Sequence, residues 1–115
     1  MKNWSFEDTK RAIETTPLTL LYISMPNCSV CHAVKPRVEK MFNKTNLPMF
    51  ALDAFEAPEV AGTFQVMTAP AVLVFYQGKE VHRQARFIDF KSLETLIQNY
   101  QAIEEPVNYT DLFIE

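Results

Sequence analysis

The amino-acid sequence predicts a single α/β domain. Three short apolar runs, at residues 18–23, 48–53 and 71–76, alternate with segments whose apolar residues recur at helical spacing. Runs of this length are too short for buried helices and are typical of strands buried on both faces of a sheet. The chain has 115 residues, enough for one hydrophobic core and too few for two ordinary domains. We therefore expect helices and strands to alternate in one layered α/β structure that ends in a hairpin and a helix.

Residues typical of helix ends show where the first helix begins and ends, and the first strand follows it. Ser5, followed three residues later by Asp8, resembles a capping box, and apolar residues at helical spacing follow it. A helix over about residues 5–15 is therefore predicted, and Pro17 ends it. The run at 18–23 follows directly as a buried strand.

A second helix is predicted to begin at Cys28 to Cys31, just beyond the end of that strand. From Val30 onwards apolar residues again recur at helical intervals. Pro36 lies inside this helix and should kink it, because proline lacks an N–H and crowds the preceding turn.

A strand, a short helix and a β-hairpin are predicted next. The strand occupies 48–53 and the short helix lies near 58–64. The clearest strand of the chain is at 71–76, and the Gln77-Gly78 pair offers a tight turn into a second hairpin arm at 79–87. This arm is expected to be a half-exposed edge. One of its faces is expected to carry Val81, Arg83, Ala85 and Phe87.

A final helix and a C-terminal extension are predicted beyond the hairpin. Asp89 is expected to cap the helix, and an apolar stripe along it indicates core packing. The stripe consists of Phe90, Leu93, Leu96, Ile97 and Tyr100. Pro106 should end the helix. The residues after it are too apolar for a typical disordered terminus, so we expect the extension, residues 104–115, to pack on the domain or on a partner.

Composition and charge narrow the class of protein. Hydrophobic residues make up 48% of the chain and charged residues 22%, as in an average soluble globular protein. The formal net charge of -3 argues against a phosphate-binding surface, so nucleic acid is not expected as a partner. No apolar run has the length of a signal peptide or a membrane span, so we expect a cytoplasmic location and no membrane contact.

The two cysteines of the chain, Cys28 and Cys31, stand three positions apart. In a reducing cytoplasm such a pair is more often catalytic or metal-binding than a structural staple. Residues three apart at a helix start share one face, which brings the two sulfurs within bonding range. Unpaired N–H groups and the positive end of the helix dipole favour a thiolate at Cys28, and the thiolate is the nucleophile. A redox pair, half of a metal site and, because His32 follows at once, a haem attachment point are the three interpretations to separate.

Several features in the right order make residues 5–101 similar to the thioredoxin family. They are the order of the elements, the cysteine pair at a strand-to-helix junction, Pro36 five residues after the second cysteine, and the segment Thr68-Ala69-Pro70-Ala71 that enters the hairpin. The resemblance implies a thioredoxin fold over residues 1–103, with a central mixed four-stranded sheet flanked by helices. It also implies that Pro70 is a cis proline that faces the cysteines.

The resemblance further implies a thiol-disulfide oxidoreductase that acts on protein disulfides without a cofactor or a metal. Cys28 would attack the substrate disulfide, and Cys31, one turn deeper, would resolve the mixed disulfide. Asn27, Ala69 and Pro70 would line the substrate groove. The expected partners are disulfide-containing proteins and a thioredoxin-reductase-like electron donor, and the expected state is a monomer or a weak dimer.

The chain departs from the pattern of the family at several positions. Asn27 stands where thioredoxins have tryptophan, and Ser29-Val30 replace Gly-Pro between the cysteines. Tyr22 replaces a buried Asp that is thought to accept the proton of the second thiol, and Met49 replaces the Lys that pairs with that Asp. A phenol with a usual pKa of about 10 is a poor base at neutral pH, so we expect the internal proton relay to be missing.

His32 and Arg86 are candidates for tuning the site. His32 lies four residues after Cys28, where it either stabilises the thiolate or is a solvated side chain. Arg86 stands where the family has a groove glycine, so it either narrows the groove and favours thiolates or is a plain edge-strand residue.

Four other functions match parts of the pattern. Haem attachment needs export and a fold that wraps the porphyrin, and structural zinc needs four ligands that His32, joined directly to Cys31, is badly placed to complete. A thioredoxin-fold binding module with little redox activity is suggested by the missing Asp, Lys and Trp. A glutaredoxin-like protein is suggested because no strand is expected before the first helix.

Overall fold

A mixed five-stranded β-sheet forms the centre of the protein in the computed structural model, which describes residues 1–43 and 45–104. The strands are β1 (Lys2–Asn3), β2 (Leu18–Ser24), β3 (Met49–Asp53), β4 (Ala71–Tyr76) and β5 (Lys79–Ala85). The helices are α1 (Phe6–Thr15), α2 (Ser29–Phe42), α3 (Glu59–Phe64) and α4 (Phe90–Glu104). Every helix and strand predicted from the sequence is present with closely similar bounds, so the α/β class is confirmed.

The strand order is β1-β3-β2-β4-β5. β3 is parallel to both β1 and β2, whereas β4 is antiparallel to β2 and β5. The four longer strands are the mixed sheet that the resemblance implies. β1 corrects the expectation that no strand precedes the first helix, and it removes the reason for a glutaredoxin-like interpretation. A two-residue strand is too short to carry an apolar or alternating pattern, so the sequence does not reveal it.

Helices cover both faces of the sheet, with one core cluster on each side. The α1/α3 cluster includes Ile13, Val60, Phe64, Leu21 and Leu73. The α2/α4 cluster includes Val38, Phe42, Leu93, Ile97, Leu20 and Tyr22. The predicted apolar stripe of α4 packs in this second cluster, which confirms its role in the core. Because successive residues of β2 contribute to opposite clusters, this strand is buried on both faces and rigidly positions whatever follows it.

Short-range hydrogen bonds fix the ends of the elements where the sequence predicts them. Ser5 Oγ accepts the backbone N–H of Asp8 at 3.1 Å, and Asp89 Oδ1 accepts that of Ser92 at 3.1 Å, so both predicted caps are confirmed. The Gln77-Gly78 turn has positive φ angles of 52° and 82°, as a type I′ hairpin turn requires. Helix α2 continues through its internal proline, and the predicted kink stays a prediction.

A β-bulge changes the alternation of β5. Val81 packs against the α2/α4 cluster, whereas Arg83 lies opposite Leu73, a member of the α1/α3 cluster. The register shifts between these residues because the bulge adds one residue to β5. Phe87 lies beyond the strand and is 82% exposed. The prediction that Val81, Arg83, Ala85 and Phe87 share one face is therefore wrong.

The predicted extension, 104–115, lies outside the described residues apart from Glu104, the last residue of α4. Pro106, which is predicted to end this helix, lies outside them as well. Within residues 1–43 and 45–104, no helix has both the length and the apolar character that a membrane crossing needs.

Candidate active site

Cys28 and Cys31 lie where β2 ends and α2 begins, and they form a disulfide bond. Cys28 is the N-cap residue of α2, and Cys31 is in its first turn. Their Cα atoms are 5.2 Å apart, within the range of ordinary disulfides. The buried strand and the helix that follows it therefore hold the two sulfurs together.

The two sulfurs have different surroundings. Cys31 is 1% exposed, whereas Cys28 is half-buried and the two residues between them are exposed. Cys28 Sγ accepts a hydrogen bond from the backbone N–H of Cys31 at 3.1 Å. An N–H donor and the positive end of the helix dipole both stabilise negative charge at an N-cap atom. The surroundings of Cys28 therefore favour a thiolate once the disulfide is reduced.

The predicted groove residues lie at the same edge of the sheet. The Ala69-Pro70 peptide bond is cis. The next residue, Ala71, begins β4 and pairs with Ile23 near the end of β2, which brings Pro70 to the edge where the cysteines are. Pro70 is buried and Ala69 is half-buried, while Asn27 is exposed in the turn before the first cysteine. Asn27 and Ala69 are thus accessible to a bound chain.

Tyr22 puts a hydrogen-bond donor at the position where the resemblance implies a buried acid. Its side chain is fully buried, and its hydroxyl donates to the backbone carbonyl of Cys31 at 2.6 Å. Burial raises the pKa of Tyr22 to about 12, so the phenol stays protonated at neutral pH and does not act as a base. Met49 packs against the same core cluster. No Asp or Glu is buried among the residues that the structure describes, where Thr9 and Thr19 are the buried residues of the polar and charged classes. The disulfide therefore has no buried carboxylate beside it within that part of the chain.

His32 is exposed in the first turn of α2. Its Nε2 lies 3.4 Å from the carbonyl oxygen of Pro26, and its backbone N–H donates to the carbonyl of Cys28 at 3.3 Å. The imidazole therefore contacts the turn that precedes Cys28. Its role in stabilising the thiolate stays a prediction.

Arg86 lies beyond β5, which ends at Ala85, so it is not an edge-strand residue. Its φ of 70° is in the left-handed region, and its backbone N–H donates to the carbonyl of Pro70 at 2.6 Å. Its exposed guanidinium lies over the ring of Phe87, 5.6 Å from the centroid. The hydrogen bond places Arg86 directly beside the cis proline.

Four exposed apolar side chains lie close in sequence to these residues, and sequence reasoning does not predict their exposure. Met25, in the turn before the cysteines, is 40% exposed, and Val30, in the first turn of α2, is 50% exposed. Met67, before the cis proline, is 90% exposed, and Phe87 is 82% exposed. The sequence does give one indication of their exposure. Three of the four stand in loops, outside the periodic apolar pattern of the helices and strands.

A metal centre is one of the interpretations of the cysteine pair. In the part of the chain that the structure describes, no three His, Cys, Asp or Glu side chains are grouped so that they could hold a metal ion.

The chain matches the Thioredoxin family over residues 2–102. Two similar curated proteins come from Bacillus subtilis (strain 168). The thioredoxin-like protein YdfQ is 36% identical over 94 residues, which cover 81% of this chain and 84% of YdfQ. The SPbeta prophage-derived thioredoxin-like protein YosR is 34% identical over 71 residues, which cover 61% of this chain and 84% of YosR.

Solved thioredoxin structures have the same fold. A mutant thioredoxin from Halobacterium salinarum NRC-1 superposes with a TM-score of 0.77 at 20% identity, over 87% of this chain and 88% of that protein. The oxidised thioredoxin from Plasmodium falciparum gives a TM-score of 0.76 at 20% identity, over 87% and 97%. These structures establish the fold, and the family match extends over most of the sequence. The chain therefore belongs to the thioredoxin family, as a thioredoxin-like protein with its Cys28-x-x-Cys31 pair at disulfide distance.

Proposed function

We propose that this protein is a thiol-disulfide oxidoreductase that reduces or exchanges disulfides of protein substrates through Cys28 and Cys31. The observation that carries the proposal is the position of Cys28 Sγ, half-buried at the N-cap of α2 and 3.1 Å from the Cys31 backbone nitrogen that donates to it. This position stabilises the thiolate, which is the attacking form of a thiol. Membership of a family with such a cysteine pair supports the same activity.

Exchange begins from the dithiol form of the protein. The Cys28 thiolate attacks one sulfur of the substrate disulfide, forms a mixed disulfide and releases the other substrate sulfur, which takes up a proton. The Cys31 thiol then loses its proton and attacks Cys28 Sγ, which releases the second substrate thiol and forms the Cys28–Cys31 disulfide. Two electrons thus pass from the protein dithiol to the substrate disulfide.

The second step proceeds without a buried base. Tyr22 keeps its proton at neutral pH and holds the Cys31 carbonyl at 2.6 Å, so it orients the first turn of α2 rather than deprotonating the thiol. The proton of Cys31 therefore passes to water or to the exposed His32 at the same helix start.

We propose that Asn27, Ala69 and Pro70 bind an extended stretch of the substrate. The backbone of Ala69 lies just before β4 begins, where an added strand can pair with it. The small side chain of Ala69 leaves this wall of the groove open. Met25 and Met67 add exposed apolar surface to the same region.

The proposed partners are proteins with accessible disulfides, together with a thioredoxin-reductase-like donor that restores the dithiol. The proposed location is the cytoplasm, whose reducing pool keeps such pairs in the active dithiol form. In this proposal the protein acts as a monomer or a weak dimer.

Reduction of insulin by dithiothreitol tests the proposed activity. The wild-type protein should accelerate the precipitation of the insulin B chain, and Cys28→Ser or Cys31→Ser should remove the acceleration. Thr95→Ala, on the exposed face of α4, is the matched control and should keep it. A wild-type protein no faster than dithiothreitol alone would overturn the proposal.

One observation favours a second candidate, a binding module with little redox activity. The position of the family's buried acid is occupied by Tyr22, so the mixed disulfide lacks a buried base to speed its resolution. Such a module would form a mixed disulfide with its partner and release it slowly. The insulin assay then shows no turnover, while a protein-substrate adduct accumulates on the wild-type chain.

A further inference from the structure

The backbone of Arg86 has a left-handed conformation, which residues with a side chain rarely adopt. Its φ of 70° brings Cβ close to the following carbonyl oxygen, so glycine and asparagine are the usual residues there. The N–H of Phe87 donates to the carbonyl of Ala85 at 2.8 Å, which closes a three-residue turn around Arg86. A γ-turn with a positive central φ is rare and strained.

The other positive φ angles of non-glycine residues, within the part of the chain that the structure describes, have ordinary explanations. Gln65 is the C-cap of α3, Gln77 is in the hairpin turn, and Asn46 is a residue that tolerates the left-handed region. Arg86 is at neither a helix end nor a hairpin turn. Backbone strain of this kind concentrates at functional sites, where the surrounding structure maintains it.

Two contacts maintain Arg86 at the groove. Its N–H donates to the carbonyl of Pro70 at 2.6 Å, and its guanidinium lies 5.6 Å from the ring centroid of Phe87. Phe87 is 82% exposed, so the pair lies on the surface of the protein. The cation is therefore presented to solvent next to the cis proline.

Three loop segments that flank the disulfide and the cis proline contain few charged side chains. Residues 25–31, 66–70 and 85–88 contain one formally charged side chain, that of Arg86. Asp53, the last residue of β3, and Asp89, which precedes α4, each accept backbone N–H groups within their own turns. The exposed Arg86 cation attracts anions and repels cations that approach the cis proline.

We propose that Arg86 determines specificity by favouring protein substrates with an acidic residue close to the reacting disulfide. This inference rests on the proposed exchange activity. A carboxylate of the substrate pairs with the guanidinium fork in the encounter complex, which aligns the substrate disulfide with Cys28. Arg86 takes no part in the transfer of electrons or protons and is a positioning residue.

Single-turnover reduction of two matched peptides tests the inference. Each peptide contains one intramolecular disulfide, and the two differ in a single residue beside a cysteine, Glu in one and Lys in the other. Fully reduced protein is mixed with each peptide, so that one protein dithiol converts one peptide disulfide to a dithiol and becomes the disulfide. We expect wild type to reduce the Glu peptide about 5-fold faster than the Lys peptide at low salt, the size of effect that a solvent-exposed charge pair supplies.

Arg86→Gln should bring the ratio of the two rates close to 1, and Arg86→Lys should keep part of the preference, because lysine keeps the charge but lacks the planar fork. The control, Arg11→Gln on the exposed face of α1, makes the same change in net charge and should leave the ratio unchanged. Added salt should shrink the wild-type ratio, because exposed charges are screened over about 8–10 Å.

An unchanged ratio in Arg86→Gln would overturn the inference and leave the exchange activity standing. Failure of the wild-type dithiol to reduce either peptide would overturn the proposed function itself. Thermal unfolding of each variant, measured alongside, shows that the compared proteins are folded.

Discussion

At the scale of single residues, three backbone groups organise the surroundings of the disulfide. The N–H of Cys31 donates to Cys28 Sγ, the carbonyl of Cys31 accepts the Tyr22 hydroxyl, and the carbonyl of Pro70 accepts the N–H of Arg86. The helix start therefore offers a donor to the accessible sulfur, while its own carbonyl is fixed from the core side. A neutral tyrosine performs this second task without adding charge beside the buried sulfur.

Tyr22→Phe should show what the hydroxyl contributes. The change leaves the buried carbonyl of Cys31 without this donor, so the free energy of unfolding at pH 7 should fall by about 1–2 kcal/mol. The pKa of Tyr22 is raised to about 12, so its part of the stability is complete below pH 10 and is lost as the pH rises from about 10 to 12. Urea titrations of both proteins across this range should show a steeper loss in wild type. Parallel curves would contradict the burial and the raised pKa.

The sequence alone reveals the cysteine pair and its place at a helix start, because spacing and helical periodicity can be read from it. The order in which the two cysteines act stays a prediction. The sequence does not reveal the partner of the Tyr22 hydroxyl or the backbone of Arg86. Both depend on which carbonyl the fold brings within hydrogen-bond distance. The pairing of β2 with β4, between residues far apart in the chain, sets those positions.

At the scale of elements, Arg83 of β5 fixes the end of α3 and so the segment that leads to the cis proline. Its guanidinium donates to the carbonyls of Phe64 and Gln65, the latter at 2.7 Å, and pairs with Glu80 at 2.8 Å. These carbonyls have no partner further along the helix, because α3 ends there. The bulge in β5 matters here, since it turns Arg83 toward the face that carries α3.

Arg83→Ala should therefore destabilise the protein by about 1–2 kcal/mol, because a charged donor to two helix-end carbonyls is lost. Chemical denaturation measures the change. Arg11→Ala, an exposed position on α1, is the comparison and should stay within about 0.5 kcal/mol of wild type. Equal effects of the two substitutions would show that Arg83 does not hold the end of α3.

Long elements are predictable here because each carries a full apolar pattern, as β4 and α4 do. β1 and the β5 bulge cannot be predicted in this way, and the physical reason differs between them. Lys2 and Asn3 form a strand only because the edge of β3 is available to pair with them. The bulge arises from the pairing of two strands and leaves no mark in the composition of either.

At the scale of the whole molecule, the disulfide and the end of α4 lie at opposite ends of the sheet. The cysteines follow the C-terminal end of β2, whereas Gln101 Nε2 donates to the carbonyl of Thr45 at 3.0 Å, before β3 begins. Because β2 and β3 are parallel, these two regions are separated by the length of the strands. Glu104, the last described residue, therefore lies far from the groove.

Truncation after Glu105 should lower stability without affecting exchange. The removed residues include Val107, Tyr109, Leu112, Phe113 and Ile114. If they bury apolar surface, Tm should fall by about 5 °C, the shift that ~1 kcal/mol causes in a domain of this size, or the oligomeric state should change. Thermal unfolding measures Tm, and size-exclusion chromatography measures the oligomeric state. Reduction of a small disulfide at room temperature measures the exchange activity. A folded truncated protein that no longer reduces the disulfide would place the extension in the active site.

Trapping of the mixed disulfide tests the central claim, that Cys28 is the attacking thiol, most directly. Reduced Cys31→Ser is mixed with a disulfide-containing protein, and the products are digested and mapped by mass spectrometry without reductant. We predict a one-to-one adduct linked through Cys28 and released by dithiothreitol, and no comparable adduct from Cys28→Ser. An adduct formed through Cys31 in Cys28→Ser, with none from Cys31→Ser, would contradict the account.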